Sequence, residues 1–346
     1  MEFSGSKCGV LRGSLVIWSL VGGLVLTSHA GAPFYVPVPT GLHQLDITEE
    51  NVLTAGKVEL GKQLFFDPRL SRDSSTSCAS CHDAAKGWSN GSQYGVGVGG
   101  RKGSRNVPTL INVAYQDHLF WDGRAQSLEQ QVYFPAASKD EMDLSLDEAA
   151  ARLNKISGYR QQFEEEFGGP ATAERIAKCI ASFERTIVAA NSPFDRFRTG
   201  DISALSPSAR RGHDVFFFRS NCAFCHNGPN LTDSKFHNTG VGMDLPSPDM
   251  GRFAVNENNE LERGAFKTPT LRDISRTAPY MHDGSLETLE EVVEFYSRGG
   301  RINPYLDEMI SSILMSEQDK ADLVVFLTEG LKSDSYSIPD SPRLSE

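Results

Sequence analysis

The pentapeptide Cys78-Ala-Ser-Cys81-His82 returns 144 residues later as Cys222-Ala-Phe-Cys225-His226. Two thiols three positions apart, followed at once by an imidazole, form the attachment pattern of a c-type haem: the sulfurs make thioether bonds to the porphyrin and the histidine becomes the proximal iron ligand. A single copy would also suit a zinc or thioredoxin-like site. Two copies in a chain that begins like an exported protein favour two covalent haems.

The remainder of the chain also repeats. Pro108-Thr109-Leu110 recurs as Pro269-Thr270-Leu271, Trp121-Asp122-Gly123 as His282-Asp283-Gly284, and Leu128-Glu129 as Leu289-Glu290, all at an offset of 161. A common offset over that span implies two copies of one unit. Each attachment motif follows a similar segment, Gly61-Lys62-Gln63-Leu64-Phe65-Phe66 and Gly212-His213-Asp214-Val215-Phe216-Phe217. Each half therefore reads as helix, attachment loop, long irregular stretch and closing helix. Thr48 is placed to cap the first helix and Ser316 the last, Glu317–Leu327, whose Leu323, Val324, Phe326 and Leu327 form an apolar stripe. Ala173–Ala190 reads as a helix with Ile176, Ile180, Phe183 and Ile187 on one buried face, which makes Cys179 a buried structural thiol. Few segments alternate with period two, so strands should be minor and the expected fold is mainly α, with two tandem cytochrome-c-like domains that each hold one haem. The break near Asp201–Ser208, with Gly200 and Pro207, divides an N-terminal domain (31–200) from a C-terminal domain (201–346).

Residues 1–30 read as a secretory signal. Lys7 and Arg12 give a basic start, Leu15 to Leu26 is an apolar run, and Ser28-His29-Ala30 offers small residues for cleavage. The run is short for a bilayer span, which takes about 20 residues, so the expectation is a periplasmic protein with no stable membrane span after signal removal. Cys8 would leave with the signal. The formal charge is −11, and losing Glu2, Lys7 and Arg12 removes a net +1 and leaves −12. That balance disfavours nucleic acid and anionic membranes as partners and suits a basic electron-donor protein.

These ordered motifs carry a resemblance. The two attachment motifs, Arg105-Asn106-Val107-Pro108-Thr109, Phe120-Trp121-Asp122-Gly123-Arg124 and Pro279-Tyr280-Met281-His282-Asp283-Gly284 resemble the bacterial di-haem cytochrome c peroxidase superfamily over about residues 48–330. The resemblance implies that the N-terminal haem, with His82 as proximal ligand, meets hydrogen peroxide and that the C-terminal haem, on His226, relays electrons. It further implies Gln131 and Glu141 as the distal amide and the catalytic carboxylate, and Trp121 as the tryptophan between the haems. Asn106, Thr277 and Pro279 would hold a calcium ion between the domains. Independent chemistry agrees with the first two roles. Cleaving a peroxide needs a proton moved from one oxygen to the other, which a nearby carboxylate can do, and a fixed amide can orient the molecule. Taken alone, Glu141 would be a solvated acidic turn, Gln131 a helix surface and Trp121 a core residue. Calcium prefers such oxygen donors.

Two departures from the family pattern place the chain in the MauG-like branch. Many members carry a distal histidine that blocks the peroxide haem until the other is reduced. The matching residue here is Val98, in a glycine-rich stretch, Trp88–Gly103, expected to lie over the distal face, and no histidine occurs between His82 and His118. Many members also ligate the second haem with methionine, and that position is Tyr296, on a helix expected over Glu287–Tyr296. The branch uses a tyrosine there, although Met281, Met309 and Met315 are competing ligands. Methionine raises a haem potential, so a phenolate should lower it. The branch's namesake also has a surface tryptophan two residues before its second haem motif, and this chain has Ser220. The expected function is a peroxide-reducing oxidoreductase that draws electrons from a redox protein or from side chains of a partner protein. A non-catalytic di-haem electron carrier is the alternative, and dioxygen-dependent polymer cleavage, used by some relatives, remains open.

Overall fold

Gly61 and Gly212 mark the tightest helix contacts in the molecule. The computed structural model describes residue 31 and residues 33–346, so the leader expected over residues 1–30 lies outside the described residues. The chain is mainly α-helical. In order, the helices are α1 (Ala55–Phe66), α2 (Cys78–Cys81), α3 (Leu128–Ala137), α4 (Leu146–Leu153), α5 (Ser157–Phe167), α6 (Ala173–Glu184), α7 (Pro193–Arg198), α8 (Pro207–Asp214), α9 (Cys222–Cys225), α10 (Leu289–Ser297) and α11 (Glu317–Val325). Among the described residues, sheet is confined to the two-residue antiparallel strands β1 (Phe236–His237) and β2 (Phe266–Lys267).

The repeat is a repeat of packing. A Cβ on Gly61 of α1 would lie 1.8 Å from the Cys179 carbonyl oxygen of α6, and one on Gly212 of α8 would lie 1.9 Å from the Asp322 carbonyl oxygen of α11. Only glycine lets the paired backbones approach this far. Phenylalanines then stack alike on both sides. Phe65 and Phe66 meet Phe183 with ring centroids 5.2 and 6.4 Å apart, and Phe216 and Phe217 meet Phe326 at 5.5 and 6.3 Å. Two apolar clusters result, one built from residues 60–189 and one from 194–331.

Past the attachment motifs the 161-residue offset is visible in the backbone itself. Left-handed conformations recur at Asn112 and Asp273, at Phe120 and Met281, and at Gly123 and Gly284. The short bridge Leu119–Ala125 recurs as Tyr280–Leu286. Helices α3 and α10 begin in register, capped by Ser127 and Thr288, whose side chains accept from the N–H of Gln130 and Glu291.

Several boundaries differ from the sequence reading. Thr48 precedes only a 3-10 turn, Glu49–Asn51, and its side chain caps nothing; Thr54 caps α1 by accepting from the Lys57 N–H. Asn51 is tied to Glu129 and to the Lys178 carbonyl, and Leu53 is buried, so the chain is held extended until residue 54. Helix α6 ends at Glu184 rather than at 190, because the side-chain amide of Asn112 pairs with both backbone groups of Ala189 and pulls the chain out straight. Ser316 caps α11 as expected, but the last turns widen into a π-helix over Phe326–Gly330. Helix α10 starts two residues later than expected. The final residues return to the first half. Tyr336 donates to the Ala84 carbonyl, Ser345 to Gln63, and the Gly158 N–H donates to the Glu346 carbonyl. No helix among the described residues is long and apolar enough to cross a membrane.

Replacing either glycine should force the crossing apart. Gly61→Ala and Gly212→Ala should each destabilise the protein by about 1–3 kcal/mol or more, the range for overpacking a close contact, read as a lower denaturation midpoint.

Candidate active site

One cavity of about 630 Å³ runs between the halves, and both attachment motifs line it. The cysteines Cys78, Cys81, Cys222 and Cys225 are free thiols at the ends of the four-residue helices α2 and α9. The Nδ1–H of His82 donates to the Trp88 carbonyl (2.9 Å), and that of His226 to the Leu231 carbonyl (3.0 Å). A carbonyl can only accept, so the proton sits on Nδ1 and the Nε2 lone pair is left for a metal. Burial depresses the pKa of both rings, to about 4 for His226, which keeps them neutral. Thiols, oriented imidazoles and a cavity walled by Leu128, Val132, Val293 and Leu323 suit two haems.

The repeat puts different residues at equivalent points of this cavity. Gln131 on α3 corresponds to Val292 on α10, and Pro135 corresponds to Tyr296; all four line the cavity. The second half thus presents a hydroxyl where the first presents a proline with no donor atom. Tyr296 is held protonated chiefly by burial, then by the nearby Cys222 and Cys225 sulfurs, which places it at the second motif. Met281, Met309 and Met315 line the same cavity.

Glu141 also faces the cavity, and burial raises its carboxyl above the usual range while Arg124 and Ser138 oppose the rise. The glycine-rich stretch closes over it. Val98 is buried, at 5% exposure, and its N–H donates to the Glu141 carbonyl (2.8 Å). A Cβ on Gly97 would lie 2.2 Å from the Asp140 carbonyl and 2.6 Å from the Glu141 Cα. The loop therefore packs against the main chain of Glu141, and its backbone positions that residue.

Trp121 sits at the seam of the two halves. Its indole N–H donates to the Asn106 carbonyl (2.8 Å), and its own carbonyl accepts from the Lys267 N–H (2.7 Å). Asn106 and Lys267 are themselves repeat-mates. Around them, Arg105 makes a two-bond pair with Asp249 (2.7 and 2.9 Å), and Phe266 stacks on His282 with centroids 3.5 Å apart. Asn106 donates its amide to the Ser92 and Gln93 carbonyls, while no described residue donates to its Oδ1 or to the carbonyls of Thr277 and Pro279.

Three titratable groups at the cavity were not singled out from sequence. Lys267 is buried beside Asp233, and burial lowers its pKa to about 8. His237 is held protonated, up to about 10, by hydrogen bonds with Cys225, Asp307 and Asp233. Cys225, Asp233 and His237 bring their ligating atoms within 4.8 Å of one another, but both ring nitrogens of His237 are engaged by carboxylates, so the ring has no lone pair for a metal. Glu184 is buried on α6 with its Oε2 unpartnered. It stands four residues after Ile180 and eight after Ile176, so a charge inside the apolar stripe was a signal available in the sequence.

Residues 55–203 match the family model described as di-haem cytochrome c peroxidase. The methylamine utilization protein MauG of Methylorubrum extorquens is 43% identical over 292 residues, which cover 83% of this chain and 81% of that one. The chain belongs to the di-haem cytochrome c peroxidase family. The cytochrome-c peroxidase IdrP1 of Denitromonas iodatirespirans is 37% identical over 89% of this chain and 88% of its own length. A crystal structure of a MauG-like protein associated with microbial copper homeostasis superimposes with a TM-score of 0.81 at 31% identity, covering 88% of this chain and 97% of that one. The protein is accordingly a haem-dependent peroxidase.

Gly97→Ala should displace Glu141 by a fraction of an ångström to an ångström. Misplacement of that size costs about 10²-fold in an active site, so peroxidase turnover should fall by roughly that factor while haem content stays at the wild-type level.

Proposed function

We propose that this peroxidase works in the periplasm with one covalent haem c in each of two tandem cytochrome-c-like domains, spanning about 31–200 and 201–346, and belongs to the MauG-like branch. Cys78, Cys81 and His82 would hold the peroxide haem, and Cys222, Cys225, His226 and Tyr296 the electron-transfer haem. Each haem supplies a redox-active iron. The observation that carries this reading is that one cavity is lined by both motifs and by Gln131, Glu141, Pro135 and Tyr296.

Reduction of hydrogen peroxide to water consumes two electrons and two protons, and the side chains serve the proton half. The Gln131 amide orients the peroxide. Glu141 takes a proton from one oxygen and returns it to the other, so that the departing atom leaves as water. Its raised pKa suits it to both halves of that exchange. Trp121 bridges the two sites, its indole N–H fixed by the Asn106 carbonyl and its main chain by the Lys267 N–H. Asn106 Oδ1 and the carbonyls of Thr277 and Pro279 fit a calcium ion, a hard cation that takes oxygen ligands. The electrons come from a redox protein or from side chains of a protein substrate; Ser220, in place of the branch's surface tryptophan, favours the redox protein.

Haem content tests the architecture. Pyridine haemochrome analysis should give two haems c per chain, with one lost in Cys78→Ala or Cys222→Ala; a count of one would overturn the reading. Tyr296→Phe should alter the low-spin EPR signal, and a change in Met281→Leu instead would move the ligand to methionine.

Val98 offers no ligating atom, so the fully ferric protein should react with peroxide without prior reduction. General acid–base groups contribute about 10²–10⁴-fold, and Glu141→Gln should slow that reaction by a factor in this range, followed by stopped-flow mixing. Inertness until reduction would refute an open first site.

A further inference from the structure

Of the cavity-lining carboxyls that the proton exchange above does not use, Asp122 pairs with Arg105 and Arg124 and Asp140 with Arg101, while Glu184 has no such ion pair. It ends α6, is only 4% exposed, and leaves Oε2 with no partner in the protein. Burying an unpaired carboxyl costs several kcal/mol unless something compensates. The scaffold does not require one here. Aligning the two helix crossings on Gly61 and Gly212 pairs Cys179 with Asp322, Phe183 with Phe326, and hence Glu184 with Leu327. Both Glu184 and Leu327 line the cavity. The same fold therefore closes around the second site with a leucine, and only the first site carries an acid.

Its surroundings point toward the first attachment motif. After burial, the charge of Glu184 is the largest influence raising the pKa of the Cys78 thiol, so the carboxyl lies near that cysteine, and both line the cavity. The neighbouring charges are already satisfied. Arg185, next along α6, pairs with Glu129 of α3, and Asn51 bonds to Glu129 as well as to Lys57 of α1. From α4, Arg152 is occupied by the carbonyls of Arg69 and Ser71, Glu148 by Ser145, and Asp147 points to solvent. Among the described residues, the cation that opposes the rise in the Glu184 pKa is Arg185, which is already paired with Glu129.

We propose that Glu184 is the redox-linked proton acceptor of the first haem site. The inference rests on that site being filled. Were the iron of that site to take one electron from a reductant, the positive charge there would fall by one, and the Glu184 carboxylate would take one proton from solvent to form an O–H bond. Reoxidation by peroxide releases that proton inside the cavity, where peroxide reduction consumes protons. Burial raises the carboxyl's pKa to about 8 against the opposing pull of Arg185, so the exchange falls near neutral pH. Glu141, also raised, and Glu129, paired with Arg185, are the other carboxyls that face this region.

Spectroelectrochemical titration of the holoprotein across pH tests this. The midpoint of the first iron should fall as pH rises toward and through about 8, with a limiting slope of about 59 mV per tenfold change in proton concentration for a one-electron couple. Glu184→Gln, nearly isosteric, and Glu184→Leu, copying the second site, should each lose most of that slope, while the second iron keeps its wild-type pH profile. A wild-type protein without the slope, or a slope undiminished in both variants, overturns the proposal. Redox difference infrared spectra of the wild type should show a protonated-carboxyl band gained on reduction and absent in Glu184→Gln. A band that vanishes in Glu141→Gln instead assigns the proton to Glu141 and also overturns it. Haem counting separates these failures from failure of the two-haem reading.

Discussion

Everything at the cavity depends on two helix pairs coming closer than side chains ordinarily allow. Packed helices usually keep their axes 8–10 Å apart. At Gly61 and Gly212 the absence of a Cβ lets α1 meet the Cys179 carbonyl of α6, and α8 meet the Asp322 carbonyl of α11. The same approach brings Phe65 to Phe183 and Phe216 to Phe326, and sets Ile180 and Glu184 on one side, Leu323 and Leu327 on the other, as cavity wall. Separating either pair would withdraw the wall from the group it encloses, so the cost of a larger residue falls on cofactor retention as well as on stability.

A duplicated scaffold needs differences to do two jobs. The two halves share capping, aromatic packing and the imidazole-to-carbonyl bond at each attachment histidine. They differ where the cavity is lined. Gln131 stands against Val292, Pro135 against Tyr296, and Glu184 against Leu327. Gln131 and Glu184 give the first half polar groups where the second has Val292 and Leu327, and Pro135 lacks the hydroxyl that Tyr296 carries. The second half receives a hydroxyl and apolar neighbours, which favour a closed site. The seam joins these halves through Asn106, Trp121 and Lys267: the Trp121 indole bonds to Asn106 and its main-chain carbonyl to Lys267, the repeat-equivalent of Asn106.

Much of this was legible in the residues in order. The attachment motifs, the 161-residue offset, the buried Cys179 and the Ser316 cap depend on local chemistry or on self-similarity, which a linear string displays. The resemblance to known peroxidases pointed to Gln131, Glu141, Trp121 and Tyr296, and all four line the one cavity. Helix limits were less legible. Thr48 was expected to cap the first helix, but Thr54 does so, because Asn51 reaches Glu129 and Lys178, residues 78 and 127 positions away.

The sequence alone determined that the chain is mainly helical, carries its motifs twice, and has chemistry suited to two haems, because covalent attachment and helix periodicity are short-range properties. Only the tertiary structure decided that Gly97 supports Glu141, that Lys267 flanks Trp121, and that Glu184 is an unpaired acid rather than a solvated one. A carboxylate's behaviour is set by what surrounds it in space. For Glu184 those neighbours come from α3, from the first attachment motif and from the cavity, and no stretch of sequence holds them together.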